Sequence, residues 1–193
     1  MTILPIDEIN AMKDRLKVHF DDGEDGKPGT GRIKSKEDCE DIIDELLDLF
    51  LLSYANGVES VNDEAPRKFE PTTDDVENVV YEKIDGKTWV ERVWGHYDSG
   101  GTMANIMDIV RTEAHRDANE GAYEAAERTG ATRSTWHCMM LPTSRDTHIY
   151  LDGVSVPIGG YFYSYKGGQT KYPGQWGIAE EDCNCLCWLT FEW

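Results

Sequence analysis

The 193-residue chain sets 37 Asp and Glu against 19 Lys and Arg, giving a formal net charge of −18 and a sequence pI of about 4.5. Such a balance repels phosphate backbones, so non-specific nucleic-acid binding by the whole chain is not expected; it implies a solvated acidic face or a basic partner. No run approaches the roughly 18 to 20 apolar residues of a bilayer span, the first residues lack the basic start and apolar run of a secretion signal, and five cysteines, an odd number, fit a reducing compartment better than a disulfide framework. Residence in the cytoplasm, away from membranes, is the expectation.

Ile9, Met12, Leu16 and Phe20 recur at helical spacing, which predicts a first amphipathic helix over 6–20, followed by an exposed Gly- and charge-rich loop over 21–31. A second helix starts at Ser35, whose hydroxyl can cap the first turn, with Glu37, Asp38 and Glu40 facing the positive end of the helix dipole. Its apolar face runs from Cys39 to Tyr54, and Asn56-Gly57 supplies a stop. After a connector over 58–71, a third helix is expected from Thr72 or Thr73 through Ile84, then a short one over 88–97 presenting Trp89 and Val93. A long Ala-rich helix over 102–129 follows, closed by Gly130.

Beyond Gly130 helical periodicity disappears and glycine, proline and aromatics rise. Residues 132–140 and 147–151 read as strands, Asp152-Gly153 as a hairpin turn, 154–158 as its return limb, and 183–191 as a final strand. The fold class is therefore α+β, with a helical N-terminal region over 1–85 and a C-terminal module over 86–193 that joins the long helix to a small mixed or antiparallel sheet. The aromatics from Trp136 to Trp193 should mostly fill the core of that sheet. Neighbours in the run from Tyr161 to Tyr165 alternate faces, which leaves one side as a protein-binding surface.

The order and spacing of several short pieces resemble the C-terminal domain of tailed-phage minor head proteins of the phage Mu F type. They are Arg111-Thr112-Glu113 with His115 and Asn119 on the long helix, Trp136, Arg145-Asp146-Thr147-His148, Leu151-Asp152-Gly153, Phe162, Tyr172-Pro173-Gly174 and Asn184-Cys185-Leu186-Cys187. The match covers roughly 86–191. Two positions depart from the pattern: Leu141 stands where the family has an Asp, and Leu186 where it has an Arg. The resemblance implies a phage structural protein of head morphogenesis without enzymatic activity, working with portal or capsid proteins, in the host cytoplasm during assembly and then in the virion head.

His148, Cys185 and Cys187 also have the chemistry of a structural zinc site, with His137, Cys138 or Cys183 as a fourth ligand. Against this, residues at alternate positions of a strand sit about 7 Å apart, so both sulfurs could reach one metal only across a bulge or turn. A buried cysteine strand with a hydrogen-bonded histidine is the competing reading. Nucleophilic catalysis by a Cys and His pair lacks an evident carboxylate to orient the imidazole. Two further functional readings stand beside the structural one: an acidic inhibitor covering a basic nucleic-acid-binding surface of a host protein, and a zinc-dependent enzyme or toxin domain.

Overall fold

The computed structural model describes residues 6–77 and 82–193. Its elements in chain order are α1 (Ile6–Leu16) with a 3-10 turn over Lys17–His19, α2 (Lys36–Asn62), α3 (Thr73–Glu77), α4 (Trp89–Ser99), α5 (Met103–Thr129), β1 (Arg133–His137), α6 (Asp146–Leu151), β2 (Ser155–Pro157), β3 (Phe162–Tyr163), β4 (Gln169–Thr170), α7 (Ala179–Asp182) and β5 (Trp188–Glu192). Helices dominate the N-terminal part and a small antiparallel sheet closes the C-terminal one, so the α+β layout expected from the sequence is the one observed. Of the helix expected from Thr72 or Thr73 to Ile84, the described part is Thr73–Glu77; residues 78–81 lie outside the described residues. No helix among the described residues is long and apolar enough to cross a membrane.

Helix α2 begins as its sequence dictates: the Ser35 hydroxyl accepts from the Asp38 amide at 3.0 Å, satisfying one otherwise orphaned donor. It does not stop at Asn56-Gly57. A Cβ on Gly57 would lie 2.0 Å from the Ala118 carbonyl oxygen, and one on Gly121 would lie 2.2 Å from that of Tyr54. Each glycine is therefore the slot that lets α2 and α5 cross almost backbone to backbone, and the helix-breaking tendency of Gly57 is outweighed by this packing. Helix α4 opens with a capping box in which Thr88 and Glu91 satisfy each other's amides.

Helix α5 serves three cores, one of which joins its Ala122, Ala125 and Ala126 to Tyr54, Val58 and Val61 of α2. Its first half, with Ile106, Val110 and Ala114, packs with Met12 and Leu16 of α1, Ile42, Leu46 and Phe50 of α2, and Trp89 and Val93 of α4. Its second half presents Tyr123 to a C-terminal core of Trp136, Leu151, Phe162, Tyr172, Cys185, Cys187 and Leu189. The sheet has the order β2-β1-β5, antiparallel throughout, with Ser134 opposite Val156 and Trp136 opposite Leu189, while β3 and β4 form a separate two-stranded ribbon.

Three expectations for the C-terminal half need correction. Residues 147–151 form helix α6, not a strand: Arg145 accepts amides from His148 and Ile149, and Asp146 sits in the positively polarised first turn. Asp152-Gly153 consequently ends that helix and is not a hairpin turn; the Gly153 amide donates to the Trp136 carbonyl at 2.8 Å, which brings the chain back beside β1. The last strand covers only Trp188–Glu192, so Cys183 to Cys187 lie outside it, in a turn where Asn184 adopts a left-handed φ of 54°. The aromatics divide as well. Trp136, Phe162 and Tyr172 are buried, but Tyr150, Tyr161, Tyr163 and Tyr165 are exposed.

Candidate functional site

The turn before β5 and helix α6 meet under the aromatic core, and the three side chains singled out for metal chemistry meet there. His148 points inward because a helical register puts Thr147, His148 and Leu151 on the buried face. Its Nδ1 lies 3.5 Å from the sulfur of Cys185 and 3.5 Å from that of Cys187. All three residues are buried, and their ligating atoms lie within 4.8 Å of one another. The spacing objection raised from the sequence fails because it presumed a strand; the actual turn folds both sulfurs to one side.

The opposite ring nitrogen, Nε2, lies 3.1 Å from a carboxylate oxygen of Glu181, which is itself buried and accepts from the Thr147 hydroxyl at 2.8 Å. Glu181 is thus the orienting carboxylate that sequence reasoning did not find; an acidic residue in the run Glu180-Glu181-Asp182 carries no mark of burial. Trp176 stacks on the imidazole with ring planes 19° apart, and Trp136 meets it edge-on. Beside the cluster is a cavity of about 40 Å³, lined among others by Cys138, Leu141, Arg145 and Leu186. That volume admits water or an ion, and is far below the roughly 300 Å³ at which pockets for organic ligands begin.

The two thiols are unequal. A hydrogen bond from Cys187, outweighing burial, together with the imidazoles of His115 and His148, holds Cys185 well below the usual thiol range. Cys187 is pushed up by its bond to Cys185 and by burial, so Cys185 ionises first.

The other motif residues form a scaffold around the cysteine turn. On α5, His115 Nε2 donates to the Cys187 carbonyl at 2.6 Å and Asn119 donates to the same oxygen at 3.2 Å. One turn earlier, the Thr112 hydroxyl accepts from the Asn184 amide at 3.1 Å. The Arg145 guanidinium donates to the Cys183 carbonyl at 2.5 Å. Asp152 accepts from the Cys138 amide at 2.8 Å, holding the end of β1 against the end of α6. Trp136 is fully buried in the C-terminal core.

Glu113 does a different job. It is fully buried and pairs with Arg92 and with Arg116, whose nitrogen lies 2.7 Å away; Arg116 also meets Asp117 at 3.0 Å. Burial and the neighbouring Glu82 carboxylate push Glu120, one turn further on, up to about 7. The Tyr172-Pro173-Gly174 segment covers this cluster: at Gly174, with φ of 94°, a Cβ would come within 2.9 Å of the Arg116 side chain. Arg111 and Asp146 are not part of the site. Arg111 pairs with Asp108 near the surface at 3.0 Å, and Asp146 is exposed at the start of α6.

Of the other proposed ligands, Cys183 is only partly buried, and His137 stacks on Trp188 and meets the Thr190 hydroxyl at 2.8 Å. Cys138 reaches the cavity wall. All five cysteines are free thiols. Leu141 and Leu186, the two departures from the Mu F pattern, line the same small cavity.

An α+β module with a polar helix stripe anchoring a buried His-Cys-Cys turn is the class of structure that this site defines. Two curated relatives carry related segments. Minor head protein GP7 of Bacillus phage SPP1 is 33% identical over 93 residues, covering 47% of this chain and 30% of that protein. The NAD(+)–arginine ADP-ribosyltransferase EFV of Enterococcus faecalis is 30% identical over 115 residues, covering 57% of this chain and 23% of that protein. The chain thus spans less than a third of the length of either. No family model and no solved structure matches it. The second similarity overturns the expectation of a chain without enzymatic activity, because a protein named as an enzyme carries a related segment.

Proposed function

We propose that the chain is a head morphogenesis protein of a tailed phage, a structural component acting in capsid assembly near the portal. The observation that carries this reading is the 33% identity to a phage minor head protein. Two features support it. On α5, Thr112, His115 and Asn119 hold the cysteine turn in place, which suits a rigid module built for docking. The exposed Tyr150, Tyr161, Tyr163 and Tyr165 provide amphipathic side chains of the kind enriched in protein interfaces. Portal or capsid proteins are the partners on this reading, and the virion head is the destination.

Quantitative mass spectrometry of purified virions and of DNA-free precursor particles tests it. The chain should be present in both at a fixed ratio to portal protein; absence from both would exclude the role. A second reading rests on the similarity to the ADP-ribosyltransferase and makes the chain part of an arginine-modifying enzyme. Incubation with labelled NAD+ and an arginine-rich acceptor separates the two, since only the enzyme reading expects label on the acceptor.

A further inference from the structure

From the geometry around His148 we infer a zinc site with three protein ligands, His148 Nδ1 and the sulfurs of Cys185 and Cys187, and a fourth position open to the adjoining cavity. Zinc bonds nitrogen at about 2.0 Å and sulfur at about 2.3 Å, and at a tetrahedral angle these lengths put the two donors about 3.5 Å apart. Both nitrogen-to-sulfur distances are 3.5 Å. Two edges of one face of a zinc tetrahedron are therefore already in place, and the two sulfurs lie within 4.8 Å of each other.

The surroundings are those that a metal-bound imidazole requires. Nε2 faces the buried Glu181 carboxylate at 3.1 Å, the arrangement that fixes the ring so that Nδ1 presents its lone pair to the metal, and the Thr147 hydroxyl holds that carboxylate. His115 and Asn119 pin the Cys187 carbonyl, which fixes the backbone carrying both sulfurs. Trp136, Trp176 and Leu151 supply an apolar wall, which strengthens thiolate binding to a cation. A divalent cation would balance the charge of both thiolates on binding.

The fourth position follows from the cavity. No further His, Cys, Asp or Glu among the described residues joins the three donors within 4.8 Å of all of them. Cys138 also lines the cavity and its thiol meets Cys187, but it does not come within 4.8 Å of all three donors. The volume of about 40 Å³ accommodates a water molecule, which completes the tetrahedron. An open position of this kind separates the site from closed structural zinc sites with four protein ligands.

The test uses the full chain expressed with added zinc and purified without chelator. Elemental analysis should find about one zinc per chain; metal-free protein would overturn the site. After chelation, reconstitution with cobalt(II) should give thiolate-to-cobalt absorption of the strength expected for two thiolates, and zinc should bleach it. This readout needs no variant and so does not depend on one folding. Folded Cys185→Ser or His148→Ala protein should lose at least about tenfold in zinc affinity, whereas unchanged affinity in both would place the metal elsewhere. Glu181→Gln, which acts through the imidazole, should weaken zinc binding about 10- to 100-fold while retaining the two-thiolate cobalt spectrum. Cys138→Ser should keep its zinc; loss of zinc from the folded variant, or a three-thiolate cobalt spectrum, would refute the open position.

Discussion

The two ends of α5 solve the same problem by different means. At its N-terminal half the helix is held by aliphatic and aromatic side chains of α1, α2 and α4. From Thr112 to Asn119 it instead buries hydroxyl, imidazole, amide, carboxylate and guanidinium groups, of which Thr112, His115 and Asn119 hold a turn that has little regular structure of its own. Aliphatic packing tolerates many sequences of the right volume. A buried polar scaffold does not, since every donor and acceptor must find its partner. The middle of α5, from Thr112 to Asn119, is consequently where residue identity matters most.

Breaking the polar scaffold should have the largest effect. Arg116→Met removes the cation shared by Glu113 and Asp117 and leaves both carboxylates buried without it, a change that costs about 3–5 kcal/mol. Urea denaturation should read it directly. If the loss were under about 1 kcal/mol, the cluster would have to be protonated or hydrated at neutral pH, and the contrast between the two halves would fail. Gly57→Ala probes the close crossing of α2 over α5 at Ala118. Helix propensity favours alanine by about 1 kcal/mol, but the 2.0 Å approach to the Ala118 oxygen forces α2 away from α5, and overpacking of this kind costs about 1–3 kcal/mol. Net destabilisation of about 1 kcal/mol is expected, whereas a stabilising substitution would show that the crossing is loose.

Glu120 sharpens the comparison through pH. Burial first, and then the Glu82 carboxylate, raise its folded-state value to about 7, above the ordinary 4.5. A carboxyl raised on folding contributes stability that is fully present below its unfolded value and lost as pH rises through the folded one. The chain should therefore lose on the order of 3 kcal/mol of stability between about pH 4.5 and pH 7 from this residue alone, and Glu120→Gln should flatten that slope. Stability curves of the two proteins across this range decide it, and parallel curves would remove Glu120 from the cluster.

The aliphatic half was legible in the sequence because apolar residues at helical spacing report directly on which face is buried. The start of α2 at Ser35 and the close of α5 before Gly130 were equally plain. The end of α2 was misread because Gly57 fulfils a tertiary requirement, set by a helix that lies some 60 residues further along the chain. In the site, His148, Cys185 and Cys187 could be named from residue type, but not their partners. Glu181 and Thr147 are ordinary surface residue types whose burial follows only from how α6 and α7 pack.

The strand assigned to 147–151 failed for a related reason, and it supports the smallest of the predicted effects. The sequence Thr-His-Ile-Tyr-Leu is rich in β-branched and aromatic residues, which local propensity places in a strand. In a strand Thr147, Ile149 and Leu151 share the buried face; in the helix that forms, Thr147, His148 and Leu151 do, and Ile149 is 39% exposed. Ile149→Ser should then change stability by less than about 0.5 kcal/mol, while Leu151→Ala, at 2% exposure, costs about 2–5 kcal/mol. The pair discriminates because the strand geometry requires both substitutions to be costly. It bears on the site too, since only the helical register turns His148 inward beside the two cysteines. A severe loss at Ile149 in thermal denaturation would mean that the histidine faces solvent.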